Sequence, residues 1–256
     1  MDKKFLIMVL GVLGIVTFPV KVIMQFVSSG SEKSTLFAVI FSLCVFAMMF
    51  FGSKLADHSK VNYSFKNFLL SGLSAACGLA CVYNVFANSN NQPPSDAKFQ
   101  YLFLSVFSAL SAAFFVFVAF SHFSGKNSFR TIQFLVFAPV IMYIASLTCF
   151  FSFEREHNAY DLLAQCLTLL FFVYYSHFYV KCSNKNFRKR CLAFGIPGVS
   201  VNLCYFIPTV ISEPVGTMSH AFSVMSILIS AYICAFLVSD FRLSSGSFGV
   251  NKTVQA

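Results

Sequence analysis

Charge is what this chain has least of. Only 11% of its 256 residues are Asp, Glu, Lys or Arg. A soluble domain carries about 25%, so this chain cannot clothe a water-facing surface, and a soluble enzyme or binding module is excluded as its main body. Tryptophan is absent, which leaves tyrosine to supply any interfacial aromatic belt. The sequence contains no Walker A, HExxH, GxSxG or GxGxxG pattern. No lysine sits in a late apolar run to hold a Schiff-base chromophore, and no carboxylate is placed inside a run for a proton relay, since Asp161 and Asp240 fall at the edges. Acid–base chemistry needs titratable groups, so a proton pump and most intramembrane hydrolases are disfavoured. No catalytic residue, metal or cofactor is assigned. None of the nine cysteines lies in a connection read as external. A disulfide framework is therefore not expected, and buried free thiols are.

What the chain has is apolar length. Eight stretches can each cross a bilayer at about 20 residues: Phe5–Val27, Leu36–Leu55, Phe68–Ala87, Tyr101–His122, Ile132–Phe153, Leu162–Val180, Leu192–Ile211 and Ala221–Val238. The first follows Met1-Asp2-Lys3-Lys4. It is too long for a signal-peptide core and lacks a small-residue cleavage site, so it reads as an uncleaved span. The fold expected is all-α: a polytopic membrane bundle of eight transmembrane helices in one domain, 1–242, with a disordered cytoplasmic tail at 243–256.

Basic residues fix the expected threading. With the N-terminus inside, the inner segments hold fourteen: Lys3, Lys4, Lys54, Lys60, Lys66, Lys126, Arg130, Lys181, Lys185, Arg188, Lys189, Arg190, Arg242 and Lys252. The outer segments hold three, Lys33, Lys98 and Arg155. This bias places both termini in the cytoplasm. It turns the net charge of +9 into a topology signal and a contact for anionic lipid at the cytoplasmic face, not a nucleic-acid site. Lys21, within the first span, is expected to snorkel outward. Compact loops without added domains suggest a bacterial plasma membrane.

A weak repeat supports a same-orientation 4+4 duplication with halves 1–123 and 130–242. A shift of 126 aligns Leu36, Ala38, Leu43 and Phe46 with Leu162, Ala164, Leu169 and Phe172, and a shift of 123 aligns Gly72 and Cys81 with Gly195 and Cys204. In the third span Gly72/Ala76 and Ser74/Gly78 are small-xxx-small pairs suited to close helix packing.

The seventh span is the most irregular. Pro197 and Pro208 each remove a backbone donor, and Asn202 lies near mid-membrane, where a polar group needs a partner. Asn202, Tyr205, Pro197 and Pro208 are the candidate substrate-binding residues, by analogy with the broken helices of transporters. Tyr143, Ser146, Thr148 and Ser200 are candidate neighbours. The bland alternative is a kinked helix whose Asn glues it to another. Glu154, Glu156, His157 and Asp161 read as a solvated capping loop, and His177 with Tyr174, Tyr175 and Tyr179 as an interfacial anchor. The function expected is a small-solute permease or transport component. The alternative is a membrane-embedded sensor or accessory subunit, working with a membrane-protein partner or as a homo-oligomer, and a lipid-modifying enzyme ranks last. A transporter predicts a water-accessible cavity; an accessory subunit predicts a packed centre and an apolar external groove.

Overall fold

Every apolar run of the sequence contains helix. The computed structural model describes residues 6–14, 16–17, 32–55, 66–91, 98–125, 133–153, 159–180 and 187–246, and among them there is no strand. The helices are α1 (6–14, with helical turns again at 16–17), α2 (Glu32–Leu55), α3 (Phe68–Asn90), α4 (Lys98–Ser124), α5 (Ala138–Phe153), α6 (Ala159–Val180), α7 (Phe187–Ser212) and α8 (Met218–Gly246). The fifth run is in two parts. A 3-10 stretch, Gln133–Phe137, precedes α5, and Pro139 then sits in the first turn of the α-helix, where its missing N–H costs nothing. The eighth helix outlasts its predicted span by reaching Gly246. Residues 247–256, the greater part of the predicted tail, lie outside the described residues, as do Lys21 and the loop 154–158.

Among the described residues, four helical segments are long and apolar enough to cross a membrane: Phe68–Asn90, Lys98–Ser124, Phe187–Ser212 and Met218–Ser239. This suggests an integral membrane protein. The distribution of side chains agrees. Phe46, Leu79, Phe99, Phe120 and Phe134 point outward, whereas Asn84, Asn88, Gln165, Thr168, Asn202 and Ser223 are buried. A chain folded in water places these groups the other way round.

Helices α3 to α8 form a closed ring. Each packs on the next in chain order, and α8 returns to α3. α2 lies outside the ring against α7, where a Cβ on Gly52 would come within 3.0 Å of the Leu192 carbonyl. α1 also approaches α7, with Gly14 facing Ser200. These neighbours give the 4+4 duplication no support. α2 and its counterpart α6 both pack on α7, and α3 and α6 do not touch among the described residues. Of the two small-residue pairs on α3, Ser74 and Gly78 face inward, with Gly78 opposite the Ala112 carbonyl of α4, while Gly72 faces open space.

Polar caps lock the ring. Asn67 accepts from the Leu70 amide at 3.2 Å, capping α3, and donates to Ser239 Oγ of α8 at 2.9 Å. At the other end Asn91 donates to the carbonyls of Ala87 and Gly216, at 2.7 and 2.9 Å. Gly216 adopts φ +93°, a left-handed conformation that favours glycine. It lets the α7–α8 connection turn within five residues, 213–217, with Thr217 Oγ1 accepting from the His220 amide to begin α8.

Candidate functional site

The ring is filled along most of its length and hollow at one end. Its middle is a pack of rings. Phe115 lies edge-on to Phe172 and Tyr232, Tyr143 stacks on Phe172, and Phe171 stacks on Tyr175, which meets Phe236 edge-on. The hydroxyls of Tyr175 and Tyr232 are hydrogen-bonded to one another. This aromatic floor is buried.

Above the floor is a cavity of about 260 Å³, lined by all six ring helices. α3 contributes Asn84 and Asn88, α4 Tyr101 and Leu104, and α5 Ser146 and Cys149; α6 contributes Asp161 and Gln165, α7 Tyr205, Phe206 and Thr209, and α8 Met218, Ser219, Phe222 and Ser223. These positions share one end of the bundle, because successive helices run in opposite directions. It is the end carrying the connections 91–97, 154–158 and 213–217. Four of the polar pairs stand one helical turn apart: Asn84/Asn88, Asp161/Gln165, Tyr205/Thr209 and Ser219/Ser223. At i,i+4 both members share a face.

Asp161 is the acid of the cavity. It stands one residue ahead of the apolar run Leu162–Val180, in the first turn of α6, and is only 8% exposed. Gln165 Nε2 donates to its Oδ1 at 2.9 Å, and Ser146 Oγ donates to Gln165 Oε1 at 2.9 Å. Burial pushes the carboxyl above the usual carboxylate range, to about 6, with the Gln165 hydrogen bond pulling back. No Lys, Arg or His lines the cavity among the described residues. Across the ring, Asn84 Nδ2 donates to Ser108 Oγ at 3.1 Å. Asn88 is 5% exposed, yet its Nδ2 has no hydrogen-bond partner among the described residues.

The candidates read from sequence divide. Tyr205 lines the cavity, and so does Ser146. Asn202 does not. It is 1% exposed and donates to Thr168 Oγ1 of α6 at 2.7 Å, while Thr168 donates to the Ala164 carbonyl at 2.9 Å. That is an interhelical tie just under one turn from the lining residues Tyr205 and Gln165. Pro197 is buried and Pro208 half-buried, and neither lines the cavity. α7 continues as helix through both. Among the neighbours, Tyr143 lies in the floor, Thr148 bonds back to the Ala145 carbonyl, and Ser200 to that of Ile196. Asp161, assigned to helix capping by sequence, is the residue that reading most undervalued. The signal that finds it is the set of i,i+4 polar pairs at one end of the ring helices.

At the opposite end, Arg190 lies over the Tyr174 ring, 5.0 Å from its centroid, and its Nη1 donates to the hydroxyl at 3.2 Å. His177 Nδ1 bonds to the Val173 carbonyl, so this group packs on itself as an anchor. A second hollow, lined by Phe107, Leu110, Phe134, Leu135, Phe137, Ala138 and Ile141, is apolar throughout and lies between α4, the 3-10 stretch and α5.

No protein-family model, curated protein or solved structure matches this chain.

Proposed function

We propose that this protein is a small-solute permease, or the solute-binding part of a transport system, and that the mouth of its six-helix ring is the external binding site. One observation carries the reading. A polar cavity sits over a sealed aromatic floor, inside a bundle that otherwise turns apolar groups outward. Ligand sites are concave, largely preformed and furnished with a few convergent polar groups. At about 260 Å³ this one lies just below the usual range of about 300–1,000 Å³, which suits a small solute. The basic bias of the loops turns the mouth outward in a bacterial plasma membrane, with both termini cytoplasmic. It also sets Lys54, Lys66, Arg188, Lys189 and Arg190 against anionic headgroups.

The test is access from each side. In a cysteine-free background, cysteine at position 88, 209 or 219 should react with an impermeant maleimide from outside. A transport cycle also requires that a fraction of the same positions react in inverted vesicles. Labelling from outside alone favours the sensor or accessory-subunit reading, for which the apolar hollow between α4 and α5 is the docking face. No labelling from either side removes the mouth as a solute site.

A further inference from the structure

We infer that the solute of this cavity is a small organic ammonium ion that also carries a hydrogen-bond-accepting oxygen. The inference rests on the reading of the mouth as a solute site. Three independent features of the lining lead to it.

The first is sign. Asp161 is the one carboxylic acid in the lining, and no basic side chain faces it there among the described residues. Gln165 satisfies one carboxylate oxygen with a neutral amide, which orients the acid without neutralising it. A cationic ligand supplies a counter-charge that the described lining does not, and an anion is repelled. The second is the character of the walls. Tyr101, Tyr205, Phe206 and Phe222 surround the space, with Phe206 set edge-on to both Tyr205 and Phe222 at centroid distances of 4.9 and 5.8 Å. Aromatic faces attract cations, and rings around a desolvated site suit alkylated ammonium groups, whose methyl or methylene hydrogens carry the spread positive charge. A divalent metal ion is a poor fit: such ions favour sites with several charged oxygen ligands, and among the described residues Asp161 is the one carboxylate here and no three His, Cys, Asp or Glu side chains gather. The third feature is Asn88. Its side chain is 5% exposed, lines the cavity, and has an amide donor that lacks a partner among the described residues. Leaving a buried donor unmet costs about 1–3 kcal/mol, so an occupant with a hydroxyl or carbonyl oxygen gains there what the protein alone does not provide. A solute that carries both an ammonium and an accepting oxygen meets all three.

The native thiol Cys149 lines the same cavity and can report on it. In membranes carrying the protein with Cys149 as its sole cysteine, three methanethiosulfonates are compared: trimethylammonium-ethyl, hydroxyethyl and sulfonatoethyl. Each rate is normalised to that with a free thiol. The cationic reagent should modify Cys149 about tenfold faster than the anionic one, a ratio that corresponds to about 1.4 kcal/mol. In Asp161→Asn the ratio should fall towards one. Choline should protect the thiol, and its uncharged isostere 3,3-dimethylbutan-1-ol should not. Ser219→Cys, at the rim, serves as a second reporter. In the unmodified protein, where no substitution can disturb folding, choline should raise the thermal midpoint and the isostere should leave it unchanged. Equal cationic and anionic rates while the neutral reagent enters, or equal protection by the two isosteres, overturns the ammonium assignment alone. Failure of all three reagents at both positions overturns the solute site and the assignment with it.

Discussion

Replacing Asp161 by Asn should make this protein more stable at neutral pH while removing its preference for cations. The magnitude follows from the carboxyl's surroundings. Its pKa in the fold is about 6, against an ordinary value of about 3.9. The difference is about two units at about 1.4 kcal/mol each. Ionising Asp161 in the folded protein therefore costs about 3 kcal/mol more than ionising it in the unfolded chain. The sign is that of a raised pKa. Between about pH 4 and 6 the folded state holds the proton that the unfolded state has released. Stability falls as pH rises through that window and stays lower above it. The asparagine side chain keeps an oxygen to accept from Gln165 and carries no charge, so the variant escapes the penalty.

The assay is thermal unfolding in detergent, read by a thiol-reactive dye. Cys77, Cys81, Cys191 and Cys204 are buried and become reactive when the bundle opens. At pH 7.5 Asp161→Asn should unfold several degrees above the unsubstituted protein, and the two curves should converge as the pH falls to about 4. A variant less stable than its parent at pH 7.5 would refute the reasoning, because it would mean that a cation already neutralises the carboxylate. Asp161 is the one carboxylic acid of the described lining, and the comparison of the variant with its parent isolates its contribution.

Further outcomes can be checked separately. Cysteine labelling on intact cells should find position 96 outside and position 185 inside; labelling of 185 from outside reverses the topology. Asn202→Leu should lower stability by about 1 kcal/mol through loss of the tie to Thr168 and leave choline protection of Cys149 unchanged, whereas loss of protection in a folded variant would return Asn202 to the site. Gly52→Ala should destabilise by about 1–3 kcal/mol, because its Cβ meets the rigid Leu192 carbonyl at 3.0 Å. Gly72→Ala meets nothing within 4 Å and should be neutral or stabilising by about 0.5–1 kcal/mol; equal effects of the two in thermal unfolding would contradict the placement of α2 on α7.

What the sequence made legible was whatever depends on local pattern. Apolar length located the helices, but the fifth run, read as one span, divides at Ala138 into a 3-10 stretch and α5. What it concealed depends on ring closure. Asp161 looks like a helix-capping acid because, in its own segment, it stands where one would. Its burial comes from the return of α8 to α3, which brings Asn88, Ser219 and Ser223 around the same cavity. Asn202 misled for the complementary reason. Mid-membrane polarity signals that a partner exists, but interhelical packing and a binding site both supply one, and here Thr168 of the neighbouring helix is sufficient. Tyr205 was found for a different reason from the one that places it: it lines the mouth from one turn nearer the end of α7 than Asn202. The pairs Gly72/Ala76 and Ser74/Gly78 are equivalent by spacing, and only the position of α4 separates the buried pair from the other.

The floor of the cavity constrains how such a mouth could pass its contents on. Its rings come from α4, α5, α6 and α8, and they interlock. Displacing any of these helices means breaking stacked or edge-to-face ring contacts inside a close-packed core. α7 presents a different face to the same level. There it offers Gly195 and Gly198, against Phe171 and Leu167, with no side chain of its own to withdraw. It is also the helix with Pro197 and Pro208 inside, eleven residues or close to three turns apart, so the two missing backbone hydrogen bonds lie on one side. Bends at the two prolines therefore add in one direction instead of cancelling. Of the ring helices, α7 has the weakest backbone ladder, although it is closely packed, with Gly195 held tightly against Phe171 and Leu237. Asn202 and Thr168 tie the α6–α7 seam, so on the proposed transport reading they would restrain movement of α7. This gives the polar group at mid-membrane a role compatible with its dry, packed surroundings.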